Sequence, residues 1–334
     1  QALLGMTADI VLNSVFPEHE LQRELQVIRQ EAIEYEEDPE DSAGDLLDRA
    51  IWGDDPMGMP VIGTVANIEG FTRQDLVHHV QSHYVGEKTV VVAAGNFDVP
   101  AWLEQAAQLF SGMPASAGPA VGLPPRPAKY VGQALARRFT QVSQVFVNLA
   151  YPLVLDEAQG EHRQRARLVA SLAAHLLGEG MSSPLVDTVR ERLGLAYTAY
   201  AAMEGGDVWA NFIVHAVTTP DKLEALVAAT GGLLRAQAAG IDPVHLERAK
   251  NQLAVSRVRA GERTYATMER AVEDLFAHGS VTSVAETLAM IDGIGAEEVR
   301  SVFERMLAHP PAVAITGKGA NARTVRQLAA GLAA

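Results

Sequence analysis

The sequence predicts an α+β protein of two similar lobes, each a mainly antiparallel sheet packed with helices. Three observations predict it. Helix-periodic stretches and short β-branched runs occur in both halves, without the regular strand-helix-strand alternation of a parallel sheet. Residues 111–132, SGMPASAGPAVGLPPRPAKYVG, hold five Pro and four Gly with no periodicity, the composition of an extended connection. Each half also closes in the same order of buried-type strand, Gly and helix, as VVVAAGNFDVPAWLEQAAQLF and AVAITGKGANARTVRQLAAGL, a weak internal repeat. The expected organisation is a first lobe over 1–112, a linker over 113–132 and a second lobe over 133–334.

Taken in order, apolar residues at helical spacing predict helices over about 2–13, 18–37 and 41–51. WGDDPMGMPVIGT is rich in turn formers, and Thr72 caps a helix over about 73–84. KTVVVAAGNF is expected as a strand, and a short helix runs from Pro100 to Phe110. Beyond the linker come a strand in SQVFVNLAYP, a helix over about 160–178 and a helix in SPLVDTVRERL. A hairpin pairs AYTAYAAM with VWANFIVHAV and turns on Gly205 and Gly206. Four or five helices follow, then the strand PAVAITG and a terminal helix.

With 334 residues and 48% apolar content, the chain can bury two cores. Lys and Arg number 27 against 41 Asp and Glu, a net charge of −14 with no basic stripe, which disfavours nucleic acid and anionic membranes as partners. There is no Cys, so disulfides and thiolate metal sites are excluded. No apolar run approaches the ~20 residues that a membrane helix needs. The chain opens at Gln1 inside the amphipathic QALLGMTADIVLNSVF, so the expectation is a fragment of a longer protein that has lost its leader. Those features suit a bacterial periplasmic protein, and also a cytoplasmic one.

The stretch ELQRELQVIRQEAIEYEEDPED raises the chemical question. Glu24 and Glu31 are seven residues apart, close to two full helical turns, so they share one face at a separation of roughly 10 Å. They cannot both ligate one ion, although one could bind while the other supports a neighbouring ligand. A solvated acidic helix explains the spacing as well.

The same stretch, followed by PMGMPVIGTVANIEGFTRQDLVHHVQSHYVGEKTVVVAAGNFD, resembles the pitrilysin/insulinase-like zinc metallopeptidases, the inverted-motif family that includes the mitochondrial processing peptidase. A second stretch, GEGMSSPLVDTVRERLGLAYTAYA, is similar to that family's C-terminal-half signature. The resemblance implies that Glu31 is the third Zn2+ ligand and that Glu24 is the carboxylate behind it that steadies a zinc-bound His. It implies that Arg190 and Tyr197 reach the peptide substrate in a cleft between the lobes. A permanently charged fork suits peptide carbonyls, and a phenol can donate to the oxyanion of a tetrahedral intermediate. The activity implied is zinc-dependent endopeptidase cleavage of peptides or unfolded segments, by a homodimer or by a heterodimer with a related subunit. The alternative is a non-catalytic partner or scaffold of the same fold that contributes Arg190 and Tyr197 in trans.

One departure is large. The family needs H-x-x-E-H, two His ligands and a general-base Glu, and residues 1–334 contain no such pentapeptide. One carboxylate does not hold a catalytic zinc, so the fragment is expected to be inactive by itself. Elsewhere, His79 and His83 form an i, i+4 pair beside His78 that could chelate a metal, or serve structurally. PEHELQRE lacks the second His of a thermolysin-type motif, and GEG, AGN and GKG are helix and strand ends, not phosphate loops. The acidic run Glu34, Glu36, Glu37, Asp38, Glu40 and Asp41 could attract basic peptides or be a solvated face.

Overall fold

A computed structural model describes residues 2–116, 129–153, 161–206 and 209–333. They gather into two compact units. The first comprises Gln1–Glu34, Ile62–Arg126 and Arg263–Glu273; the second comprises Tyr35–Val61, Pro127–Glu262 and Asp274–Ala334. Most of the expected linker, 117–128, lies outside the described residues.

The early helices are α1 (Ala2–Leu12), α2 (Glu18–Glu37), α3 (Asp41–Trp52), α4 (Val65–Gly70), α5 (Arg73–His83) and α6 (Val99–Leu109). In the first unit, α2 carries Leu21, Leu25, Ile28 and Ala32 at the spacing of one helical face, and that face packs on Ile68, Ile62 and Leu76. Glu18 and Glu20 sit in its first turn, where carboxylates complement the helix dipole. Thr72 and Asp75 close a reciprocal capping box at the start of α5. Beside them, Arg73 donates to the carbonyls of Val15 and Phe16 and holds the chain that leads into α2.

The strand expected in KTVVVAAGNF does not form. Thr89 is extended, but Val90–Gly95 joins no ladder, and the first unit has no strand among the described residues. A strand is defined by hydrogen bonds to a neighbour, which β-branched composition alone does not supply. The helix of that repeat does form, as α6, opened by Asp98 whose carboxylate accepts from the Ala101 amide.

The second unit is built on one sheet. Its strands are β1 (Ala134–Arg138), β2 (Val145–Pro152), β3 (Thr198–Gly205), β4 (Ala210–Thr218) and β5 (Ala312–Gly317), in the order β1-β5-β2-β4-β3. β1 runs parallel to β5 and every other pair is antiparallel. Helices α7 (Glu161–Gly178), α9 (Leu223–Ala239), α10 (Pro243–Gly261), α12 (Val284–Asp292), α13 (Ala296–Leu307) and α14 (Ala322–Ala333) also belong to this unit, while α11 (Thr264–His278) begins in the first. The short α8 (Pro184–Val186) lies between α7 and β3.

Alternation assigns the two faces of the sheet. Val147, Leu149, Phe212, Val214, Val313 and Ile315 enter the large core with α7, α9 and α13. The opposite face presents the small side chains Ala150, Ala312 and Ala314, with Ile213, to Leu47, Ala50, Ile51 and Trp52 of α3. These alanines leave room for α3 to lie directly on the strands. Both faces are therefore covered, and β4 and β5 are buried at every residue.

Candidate peptide-contacting turn and metal helix

Arg190 and Tyr197 bracket a turn that joins an unusual piece of helix to β3. The helix expected across SPLVDTVRERL is α-helical for one turn only, and Asp187–Arg192 is a π-helix. The Leu193 amide donates to the Thr188 carbonyl five residues back, at 3.0 Å. This winding brings Asp187 and Arg192 within 2.6 Å, an ion pair that α-helical geometry would set on different sides. Arg190 is exposed, with Nε 3.4 Å from the Glu191 carboxylate.

The chain then reverses within a few residues. Gly194 takes φ +57°, the left-handed conformation that glycine adopts without strain. The Val189 carbonyl accepts from the amides of both Leu195 and Ala196, at 2.7 and 3.2 Å. Two side chains hold the turn from outside it. Thr218 Oγ1 donates to the Leu195 carbonyl at 2.6 Å, and Lys222 Nζ donates to the Gly194 carbonyl at 2.8 Å. Tyr197 follows at the head of β3, its amide donating to the Val217 carbonyl and its side chain 79% exposed. β3 is an edge strand, paired with β4 alone among the described strands. Behind it α7 ends at Gly178, where a Cβ would overlap the Ala201 amide nitrogen. Only glycine lets that helix end meet that strand.

Glu24 and Glu31 lie on α2 in the first unit, and both are exposed. Glu24 lines a mainly apolar cavity of about 610 Å³, walled by Phe16, Leu21, Leu25, Ile28 and Ile68; Glu31 is not among its walls. His79 and His83 stack at 4.4 Å between ring centroids, and His83 Nδ1 bonds the His79 carbonyl. No three His, Asp or Glu side chains come together to hold a metal ion among the described residues. The described donors therefore do not by themselves fit a catalytic zinc, which takes three protein ligands.

Two further groups on the α3 side of the sheet carried no sequence signal. His215 Nδ1 lies 2.6 Å from Asn148 Oδ1 across β4 and β2, with Tyr200 stacked on the imidazole at 4.9 Å. Burial pushes the His215 pKa down and so favours the neutral ring. Towards the other end of β3, burial raises the Glu204 carboxyl. Asp48 of α3 is raised to about 6, first by burial and then by Glu204 and Asp45. The acidic run has a structural part as well: Asp38 Oδ1 accepts from the amides of Glu40 and Asp41 and starts α3.

Residues 70–253 match the family model described as the peptidase M16 inactive domain. Over 334 aligned residues the chain is 30% identical to an uncharacterized zinc protease of Mycobacterium tuberculosis, covering 97% of this chain and 73% of that protein. An uncharacterized zinc protease of Rickettsia bellii is 29% identical over 318 residues, 94% of this chain and 74% of that one. Among solved structures, a protease from Helicobacter pylori is similar with a TM-score of 0.83 at 17% identity, over 94% of this chain and 76% of that chain. The peptidase M16 inactive domain from Pseudomonas fluorescens gives 0.80 at 20% identity, over 95% and 74%. The two structures share the fold, and the two sequence relatives share nearly the whole of this chain. With the family model covering more than half of its residues, the chain belongs to the peptidase M16 family.

Proposed function

We propose that this chain is the substrate-holding part of a zinc-dependent endopeptidase that cleaves peptides or unfolded segments. The main support is Tyr197, a large side chain left exposed at the head of an edge strand and seven residues from an exposed Arg190. An extended peptide laid along the edge of β3 that no described strand covers would add backbone hydrogen bonds to the sheet. In this reading the Arg190 guanidinium forks onto peptide carbonyls, and the Tyr197 hydroxyl donates to the scissile oxygen as negative charge develops there.

These residues do not supply the metal half of the reaction. H-x-x-E-H is absent from 1–334, and Glu31 is the one ligand that the family resemblance assigns to this chain. In this reading the two His ligands and the general base would have to come from outside residues 1–334. We expect the active form to be a homodimer, or a heterodimer with a related subunit. A second reading has one observation in its favour, the description of the matching model as the inactive domain of the family. In that reading the chain never cleaves, and it lends Arg190 and Tyr197 in trans to a catalytic partner.

The test is elemental analysis for zinc, together with cleavage of β-casein, on a longer form carrying H-x-x-E-H. Glu31→Gln and Tyr197→Phe copies are measured beside it. About one zinc per chain that falls sharply in Glu31→Gln supports the enzyme reading. So does a loss of roughly 100-fold or more in turnover for Tyr197→Phe. A folded protein with no zinc and no cleavage sinks that reading and leaves the second.

A further inference from the structure

The turn carrying Tyr197 is held by two side chains that belong to neither the π-helix nor β3. From this we infer that Thr218 and Lys222 are positioning residues for the substrate clamp. They lock the Gly194–Ala196 turn and so fix Tyr197 relative to Arg190. The inference rests on the proposed role of those two residues in holding peptide.

Five hydrogen bonds converge on this short stretch. From the N-terminal side, Val189 takes the amides of Leu195 and Ala196 and Thr188 takes that of Leu193. These tie the turn to the π-helix and hence to Arg190. From the C-terminal side, Thr218 at the end of β4 donates to the Leu195 carbonyl and Lys222 just before α9 donates to the Gly194 carbonyl. Thr218 is 5% exposed, so its hydroxyl has little water to bond instead. The Lys222 bond is charge-assisted and spans 28 residues. Gly194 has no Cβ and a positive φ, so its own conformational preference adds little to holding the turn. Tyr197 is 79% exposed, so little packing holds its ring and its direction depends on the backbone that carries it. A clamp made of two long exposed side chains loses affinity steeply when either is misdirected, because the cost of ordering it then falls on binding.

Fluorescence anisotropy of fluorescein-labelled β-casein tests the inference without any metal. The parent chain is compared with Arg190→Ala, Tyr197→Ala, Thr218→Val, Thr218→Ser, Lys222→Ala and Lys222→Arg, and the Val and Ala changes are repeated in the Tyr197→Ala background. Thr218→Val and Lys222→Ala should each weaken binding about tenfold, the worth of one hydrogen bond expressed through the clamp. The Ser and Arg replacements, which keep a donor, should restore most of it. In the Tyr197→Ala background the same changes should have almost no further effect, since their action runs through Tyr197. Equal losses in both backgrounds would mean a general structural role and would overturn the inference. Unchanged affinity for Thr218→Val and Lys222→Ala, with Tyr197→Ala impaired, would overturn it while leaving the proposed function standing. If the parent does not bind, or binds with indifference to Arg190→Ala and Tyr197→Ala, the proposed function fails and the positioning role with it. Lys222 is exposed, so its variants keep the test alive if Thr218→Val does not fold.

Discussion

Replacing Asp48 by Asn tests whether the carboxylates near the glycine end of β3 destabilise the second unit. Asp48 titrates near 6 instead of 3.8 because burial, then Glu204 and Asp45, disfavour its charge. Between those two values the folded chain binds more protons than the unfolded one, so stability falls as pH rises from about 4 to 6 and the full cost is present above 6. For a carboxylate shielded from water, the gap between 3.8 and about 6 would correspond to about 3 kcal/mol. Asp48 keeps part of its surface open to water, so solvent screens both effects, and about 1 kcal/mol is the expected cost. Asn and Asp have similar helix propensities, so the substitution adds little of its own within α3. His215 works in the opposite sense: its pKa is lowered by burial, so it costs stability as pH falls below about 6.5. Subtracting parent from variant at each pH removes that term. Urea denaturation, read by Trp fluorescence from the edge-packed pair Trp52 and Trp209, should show Asp48→Asn more stable by about 1 kcal/mol near pH 7.5 and equal to the parent near pH 4. Equal stability near pH 7.5, or a difference that persists to pH 4, would refute the reasoning.

Gly178→Ala forces a Cβ into the Ala201 backbone, so α7 or β3 must shift; the expected loss is about 3 kcal/mol, read from the urea midpoint. Arg248 of α10 donates to the Leu176 and Glu179 carbonyls at the end of α7, at 2.8 and 2.7 Å. Arg248→Met keeps the stem and abandons those acceptors, at a cost of about 2 kcal/mol in the same assay. After incubation with equimolar zinc and desalting, residues 1–334 should retain less than about 0.1 zinc per chain, and Glu31→Gln should retain the same. Stoichiometric retention by the parent would show a metal site that the described donors do not form.

Helices with a periodic face and a chemical start were legible in the sequence. The α2 boundaries match the expected 18–37, because Leu21, Leu25, Ile28 and Ala32 repeat on one face and acidic residues mark its first turn. The β3–β4 hairpin was legible from two strand-like runs on either side of Gly205 and Gly206, although residues 207–208 of the connection lie outside the described residues. β1 was not, since ALARR is short, ends in two arginines and pairs parallel to β5, whose partners lie some 180 residues away. Parallel pairing leaves no turn to read. The π-helix was also missed. Its one trace in the sequence is Asp187 and Arg192, opposite charges at a spacing that an α-helix does not bring together.

The candidate site shows why a motif carried more than propensity did. Hydrophobic patterning assigns residues to a core, and Tyr197 is conspicuous by not joining one: an aromatic side chain at the start of a strand is expected half-buried, whereas this one is 79% exposed. The groups that hold its backbone are equally silent in the sequence. Thr218 reads as the last residue of a buried strand and Lys222 as a solvated charge before a helix, and only the fold puts their donors on adjacent carbonyls of one turn. Glu31 is the opposite case. Its place on an exposed helix face follows from spacing alone, and in exposure it matches Glu34, Glu36 and Glu37 of the same helix. What separates a metal ligand from a solvated carboxylate is the presence of the other ligands. In the proposed reading that information comes from H-x-x-E-H, which residues 1–334 do not contain. A zinc role for Glu31 is therefore testable only on a form that carries the pentapeptide, while the proposed peptide-holding role of Arg190 and Tyr197 can be tested on this chain by itself.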